Sequence, residues 1–361
     1  MSGPKPRANI LEITPYVGGQ KPTSGWKLSS NENPLGCSHA AQQALLEASR
    51  NLAEYPDGSA SKLRHAIAEK YGIDADRIVC GAGSDEIFQL LARAYLEPGD
   101  EILQSAHGFL IYQLAAQQSG ANTIMAPERD YTTDVDAMLE RVSPRTKIVF
   151  VANPNNPTGT YLPFDEIKRL HAGLPEDVIL VLDGAYAEYV RRNDYSSGME
   201  LAGEAPNVLM TRTFSKIHGL AALRLGWAYG AASIIDAIHR TRGPFNVSAV
   251  AQAAGIAALQ DETFQTQSAE TNAVELQRVA TALEALGLPS LPSVANFILI
   301  QFPEGAGHGA ADADAFLRER GIYARNVDVY SLPNCLRLSI GVPEANDDVI
   351  AAFRAFMQRA S

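Results

Sequence analysis

Cysteine is nearly absent from this sequence. Cys37, Cys80 and Cys335 are the only three in 361 residues, they lie far apart, and no two form a C-x-x-C. An odd, sparse set argues against a disulfide framework and suits a reducing, cytoplasmic compartment. The seven histidines show no H-E-x-x-H or other zinc spacing, so no metal site is expected. Long apolar runs are missing as well: none reaches the length of a membrane span. The opening M-S-G-P-K-P-R-A-N-I lacks the apolar core of a secretion signal. Positive charge is in deficit, with 30 Lys and Arg against 41 Asp and Glu and a net charge of -11. That balance argues against a nucleic-acid partner. An acidic chain can still bind anions, but only by placing arginine locally.

What is present is ample apolar material. At 46% hydrophobic and 20% charged, the chain can build a large core and more than one domain. Four prolines before Ser24 suggest that residues 1–35 form an extended arm. Residues 36–265 then read as a large domain and 266–361 as a smaller one, reached through Ala-rich helical patterns after a break at Gly243-Pro244. Lys147 to Ala152 and Val178 to Leu182 are continuous apolar runs, as expected of strands buried on both faces. Near the C-terminus, Asn296 to Phe302, Gly321 to Arg325 and Cys335 to Ile340 read as strands. Leu336, Leu338 and Ile340 alternate with Arg337 and Ser339, which turns Arg337 away from the apolar face.

The chemistry-bearing residues sit at the ends of these runs. Asp183 closes the second apolar run, where α/β sheets place chemistry. Asn153 to Gly159, N-P-N-N-P-T-G, closes the first and taken alone is a turn. Gly81-Ala82-Gly83 opens a helix whose free N–H groups suit an anion, although Asp85 and Glu86 could simply favour the helix dipole. The full dinucleotide fingerprint is lacking. The central stretch is Val208 to Gly230: an apolar strand, then Thr211, Arg212, Thr213 and Ser215, then the lone Lys216, with Arg224 eight positions on. Alone, Lys216 reads as a surface residue. With hydroxyls and an arginine beside it, it suits an amine that forms a Schiff base next to a phosphate. Tyr55 taken alone is a rim aromatic, and Phe109 divides evenly between core and site.

The segment T-R-T-F-S-K-I-H-G-L-A-A-L-R resembles the Schiff-base lysine segment of the fold-type-I aminotransferases that use pyridoxal 5'-phosphate (PLP), and is most similar to their histidinol-phosphate branch. The resemblance extends through N-E-N-P-L-G from Asn31, P-N-N-P-T-G from Pro154 and D-G-A-Y from Asp183, and covers nearly the whole chain. It implies an α/β fold with a mostly parallel central sheet and a smaller α+β C-terminal domain, PLP as cofactor, and a homodimer with shared sites. Lys216 would carry PLP and then act as general base. Asp183 would pair with the pyridinium nitrogen, and Asn156 and Tyr186 would donate to the phenolic oxygen. Phe109 would stack on the ring. Ser84, Asp85, Glu86, Ser215 and Arg224, with Tyr55 from the other subunit, would hold the phosphate, the two acidic side chains pointing away from it. Tyr16, Asn33, Arg325 and Arg337 would receive the substrate. His107-Gly108 and Gly184 depart from the family pattern. The implied reaction moves an amino group between L-histidinol phosphate and 2-oxoglutarate. The alternatives are an aromatic amino-acid aminotransferase, a phosphothreonine decarboxylase and, from a different class, a transcription regulator or binding protein on the same PLP fold, which the intact Lys216 disfavours.

Overall fold

Alternation at period two builds the centre of the molecule. The computed structural model describes residues 3–15, 24–303 and 307–359. Seven strands form the main sheet: β1 (Ile78–Gly81), β2 (Glu101–Ser105), β3 (Asn122–Ala126), β4 (Thr146–Ala152), β5 (Ile179–Asp183), β6 (Val208–Thr213) and β7 (Gly226–Gly230). Their spatial order is β1-β7-β6-β5-β4-β2-β3. β7 runs antiparallel to both its neighbours, and the remaining pairs are parallel. Successive residues of β4 and β5 feed opposite faces. Val149, Val151, Leu180 and Leu182 join one core cluster, while Ile148, Phe150, Ile179 and Val181 join the other. Buried on both sides, the middle of each strand, Ile148 to Val151 and Ile179 to Leu182, is apolar at every position, hence the unbroken runs in the sequence.

Register then fixes the site. Ala152 pairs with Asp183, and Asp183 with Thr211, so β4 and β5 end level, β6 runs on to Thr213, and three loops leave from one edge. Helix α1 (Ser84–Tyr95) follows β1 and helix α2 (Leu110–Ser119) follows β2, each opening toward that edge. The close fit of β7 against the start of α1 demands glycine: a Cβ on Gly226 would strike the Ser84 nitrogen.

A second sheet of three antiparallel strands stands beyond the edge. It comprises β8 (Phe297–Gln301), β9 (Arg325–Asn326) and β10 (Cys335–Ser339) in the order β8-β10-β9. Its apolar side, with Ile298, Ile300, Leu336 and Leu338, packs in a cluster with Val279, Leu283, Val349 and Phe353. The strand expected over Gly321 to Arg325 is divided. Ile322–Tyr323 pairs in parallel with Trp26–Lys27, and Arg325 begins β9 in the other sheet. The chain switches partners at Ala324, and this ties residues 26–27 to the C-terminal part of the molecule. The N-terminal segment is not uniformly extended either: Ala8–Leu11 is a short helix. A single helix, Glu262–Glu284, runs through the division expected between residues 265 and 266.

Candidate active site

Ala152, Asp183 and Thr213, the last residues of β4, β5 and β6, lie on the wall of a cavity of about 630 Å³. Lys216 lies three residues past β6. Its Nζ donates to the carbonyl oxygen of Ser30 at 3.1 Å, and the ammonium lies 5.5 Å from the centre of the Tyr186 ring. Enclosure by protein, then the charges of Arg337 and Arg224, depress the Lys216 pKa to about 8 against the pull of Asp85 and Glu32. A lysine so placed holds an appreciable fraction of free amine near neutral pH, which a solvated lysine does not.

Asp183 terminates β5 and is 4% exposed. Tyr112 Oη donates to its Oδ2 at 2.7 Å and Thr211 Oγ1 to its Oδ1 at 3.1 Å. Burial pushes its pKa up to about 6, although both hydroxyls oppose that rise. Such a carboxylate, short of counter-charge and facing a cavity, suits a cationic ligand group.

The opposite need is met at the start of α1. Gly83 takes a φ of 81°, and the first turn of the helix presents Ser84 to the cavity. Arg224 reaches the same place, donating from Nη1 to Ser215 Oγ at 3.3 Å and from Nη2 to Asp85 Oδ2 at 3.2 Å. A Cβ on Gly83 would strike the Arg224 guanidinium. Helix N–H groups, two hydroxyls and an arginine together form an anion-binding end.

Asn156 and Tyr186 line the cavity on either side of Asp183 in sequence. Arg337 Nη1 donates to Asn156 Oδ1 at 2.5 Å, and its Nη2 donates to the Ser29 carbonyl at 2.7 Å. Asn31 Nδ2 donates to Tyr186 Oη at 2.9 Å. Arg325 and Arg337 are Cα partners across β9 and β10, and both line the cavity together with Phe109. Two guanidinium groups on one wall give the cavity a side suited to anions.

Several expected positions differ. Asp85 does not turn away: it lines the cavity and is paired with Arg224. Glu86 is not among the lining residues. Its Oε2 accepts from the Ala82 backbone N–H at 2.6 Å and from Asn246 Nδ2 at 2.7 Å, so it stiffens the glycine turn from behind. Asn33 also lies off the cavity: its amide donates to the Ile217 carbonyl and to Ser268 Oγ, which pins the N-terminal segment beside Lys216. Tyr55 is 81% exposed and stacks on Phe245 at 4.5 Å, away from this cavity. Tyr16 lies outside the described residues.

Residues the sequence did not single out complete the wall. Ser29, Ser30 and Glu32 arrive beside Lys216 from far along the chain, and Ile13, Ile111 and Tyr330 also line the cavity. Tyr112 is the most consequential of those missed. Its position in an apolar helical pattern reads as core, and only the fold brings it to Asp183.

Comparison with known proteins agrees with this geometry. The model of the family "Aminotransferase class I and II" matches residues 23–353. The histidinol-phosphate aminotransferase of Rhodopseudomonas palustris strain HaA2 is 52% identical, over 99% of this chain and 100% of its own. That of Maricaulis maris is 54% identical, over 98% and 99%. Among solved structures, histidinol-phosphate aminotransferase from Sinorhizobium meliloti in complex with pyridoxal-5'-phosphate superposes with a TM-score of 0.90 at 26% identity, covering 100% of this chain and 99% of that one. A Thermus thermophilus aspartate aminotransferase variant shares the fold with a TM-score of 0.84 at 22% identity, over 99% of this chain and 100% of its own.

Proposed function

The chain belongs to the class I and II aminotransferases, and from that premise we propose that it exchanges an amino group between L-histidinol phosphate and 2-oxoglutarate, with PLP as cofactor. The carrying observation is the in-register pair Arg325 and Arg337 on the wall of the cavity that holds Lys216. Histidinol phosphate brings a phosphate and no α-carboxylate, whereas glutamate brings two carboxylates. Guanidinium forks accept both kinds of anion in alternate half-reactions. The relatives named above carry the same activity in their names.

The residues present fit PLP by the chemistry of their donor set. Ser84, Ser215 and Arg224, with the first turn of α1, would hold its phosphate. Asp183 would hold its ring nitrogen, Asn156 and Tyr186 its phenolic oxygen, Phe109 one face of the ring, and Lys216 its aldehyde carbon. PLP bound there supplies the electron sink that makes loss of the substrate's α-proton accessible. Lys216 Nζ, kept partly unprotonated by burial and by Arg337, takes that proton as general base. Asp183 keeps a negative charge at the far end of the sink. Arg325 and Arg337 orient the substrate anion so that its Cα faces Lys216.

The same reading extends to assembly. Tyr55, exposed with Leu52 and Phe245 beside it, would reach the phosphate site of a second subunit in a cytoplasmic homodimer. We retain residues 1–35 as an arm, 36–265 as the large domain and 266–361 as the small one, with Glu262–Glu284 as the helix that connects the last two. The test compares kcat/KM of the PLP-loaded protein for histidinol phosphate, phenylalanine and threonine phosphate, the keto acid being 2-oxoglutarate. Histidinol phosphate is expected to lead. A preference for phenylalanine, or release of carbon dioxide from threonine phosphate, would replace the proposal with the corresponding alternative.

A further inference from the structure

Asp183 is a buried carboxylate with a like-charged neighbour close by and hydrogen-bond donors to offset it. Asp85 approaches from α1 and raises its pKa, while Tyr186 and Tyr195, in the chain beyond β5, are phenols that burial, with the Asp183 charge, holds neutral. The groups that favour its ionised form are Thr211 on β6, the Ala185 backbone N–H and Tyr112 on α2, and the Tyr112 hydroxyl is the strongest of them. That hydroxyl makes the shorter bond, 2.7 Å against 3.1 Å.

Tyr112 is held as though its place mattered. Its side chain is fully buried, and its ring stacks on Phe150 with centres 4.4 Å apart and planes 8° from parallel. Phe88 meets the ring edge-on at 5.0 Å, and Phe109 meets it edge-on at 5.7 Å. Three aromatic contacts leave the hydroxyl one direction, toward Asp183 Oδ2. A phenylalanine would fill the same space, so packing alone does not call for the oxygen. Burying a hydroxyl costs free energy unless it is bonded, and here its bond goes to a charged partner that a cofactor site needs charged.

We propose that Tyr112 is a positioning residue for the reaction: its hydroxyl keeps the Asp183 carboxylate ionised and turned to the cavity, ready for a protonated ring nitrogen. The proposal rests on the functional reading above. Tyr112 donates one hydrogen bond and gives up no proton, because burial and the adjacent carboxylate hold its own pKa well above the usual phenol value.

The experiment measures the carboxylate itself, in the cofactor-free protein. Asp residues are labelled with 13C at Cγ, and the Asp183 signal is assigned by its loss in Asp183→Asn. Tyr112→Phe is expected to raise the Asp183 midpoint by about one to two pH units, the worth of one hydrogen bond to a charged group. Site-specific replacement of Tyr112 by 3-fluorotyrosine keeps the ring and makes the hydroxyl a stronger donor, so it is expected to lower the midpoint. Opposite shifts from two near-isosteric changes are the signature of a donor; a packing role would move both the same way or neither. Should Tyr112→Phe fail to fold, the fluorinated protein alone decides. An Asp183 midpoint unmoved in these variants, or moved in the same direction by both, overturns the role. PLP uptake, read from the cofactor's absorbance, separates this from the parent reading. Uptake by wild type with an unmoved carboxylate sinks only Tyr112. No uptake by wild type sinks the functional reading and the proposal with it.

Discussion

Asp183→Asn should remove activity and yet make the cofactor-free protein gain stability, relative to wild type, as pH rises toward neutrality. Burial raises the folded-state pKa of Asp183 from the ordinary value of 3.8 to about 6. Between those two values the folded chain binds more protons than the unfolded chain. Wild-type stability therefore falls as pH rises through that window, and the full penalty is in place above it. A rise of roughly two pH units at 1.36 kcal/mol each is worth about 3 kcal/mol. The amide never ionises and escapes the penalty. Its own fixed cost, from an imperfect match to two donor hydroxyls, is the same at any pH and cancels when two pH values are compared. The assay is denaturant unfolding of both cofactor-free proteins at one concentration, at pH 7 and near pH 4. The variant's stability relative to wild type should improve by about 2–2.5 kcal/mol on going from the lower to the higher pH, because the unfolded carboxyl is already half ionised near pH 4. A relative stability that stays constant, or worsens, would refute the reasoning by showing that Asp183 is not strained by burial. With PLP bound the balance reverses. The amide cannot hold a ring cation, and breaking a buried charge pair costs about 3–5 kcal/mol, so turnover should drop at least a hundredfold. A variant within fivefold of wild type would remove Asp183 from the site.

Lys216→Ala should abolish turnover and leave no cofactor fixed to the protein after borohydride treatment; retained activity with fixed cofactor would point to another lysine. In the wild-type cofactor-free protein, the rate at which Lys216 captures an aldehyde should rise with pH and level off above about 8, the depressed pKa of its amine; a plateau only above pH 10 would show an ordinary lysine. Arg325→Leu should lower kcat/KM for histidinol phosphate about tenfold more than for phenylalanine, because a hydrogen bond to a charged group is worth about 1.5–3 kcal/mol; equal losses would break the link between Arg325 and the substrate phosphate. Tyr55→Ala and Lys216→Ala subunits, each inactive, should regain activity when mixed and allowed to exchange, since some hybrid sites carry neither lesion. Proven exchange without recovery would count against a shared site.

Much of the site was legible in the chain because its local chemistry is local in sequence. The apolar runs of β4 and β5 place Asn156 and Asp183 just past or at a strand end, since the middle of a strand buried on both faces is apolar and polarity returns toward its end. Ser215, Lys216 and Arg224 lie within one strand–turn–strand segment, so their proximity needs little of the fold. Alternation along β10 was enough to turn Arg337 from the apolar cluster. What the sequence could not settle depends on which strands lie side by side. Tyr112 meets Asp183 across 71 positions, Arg224 meets Asp85 across 139, and Lys216 meets Ser30 across 186. Asn33 and Glu86 have the residue types of site groups, yet their donors and acceptors are consumed by Ile217, Ser268, Ala82 and Asn246. A side chain's chemistry is written in its own type and its near neighbours. Its partner is set by sheet order and register, and a buried polar group takes whichever partner the packing brings within about 3 Å.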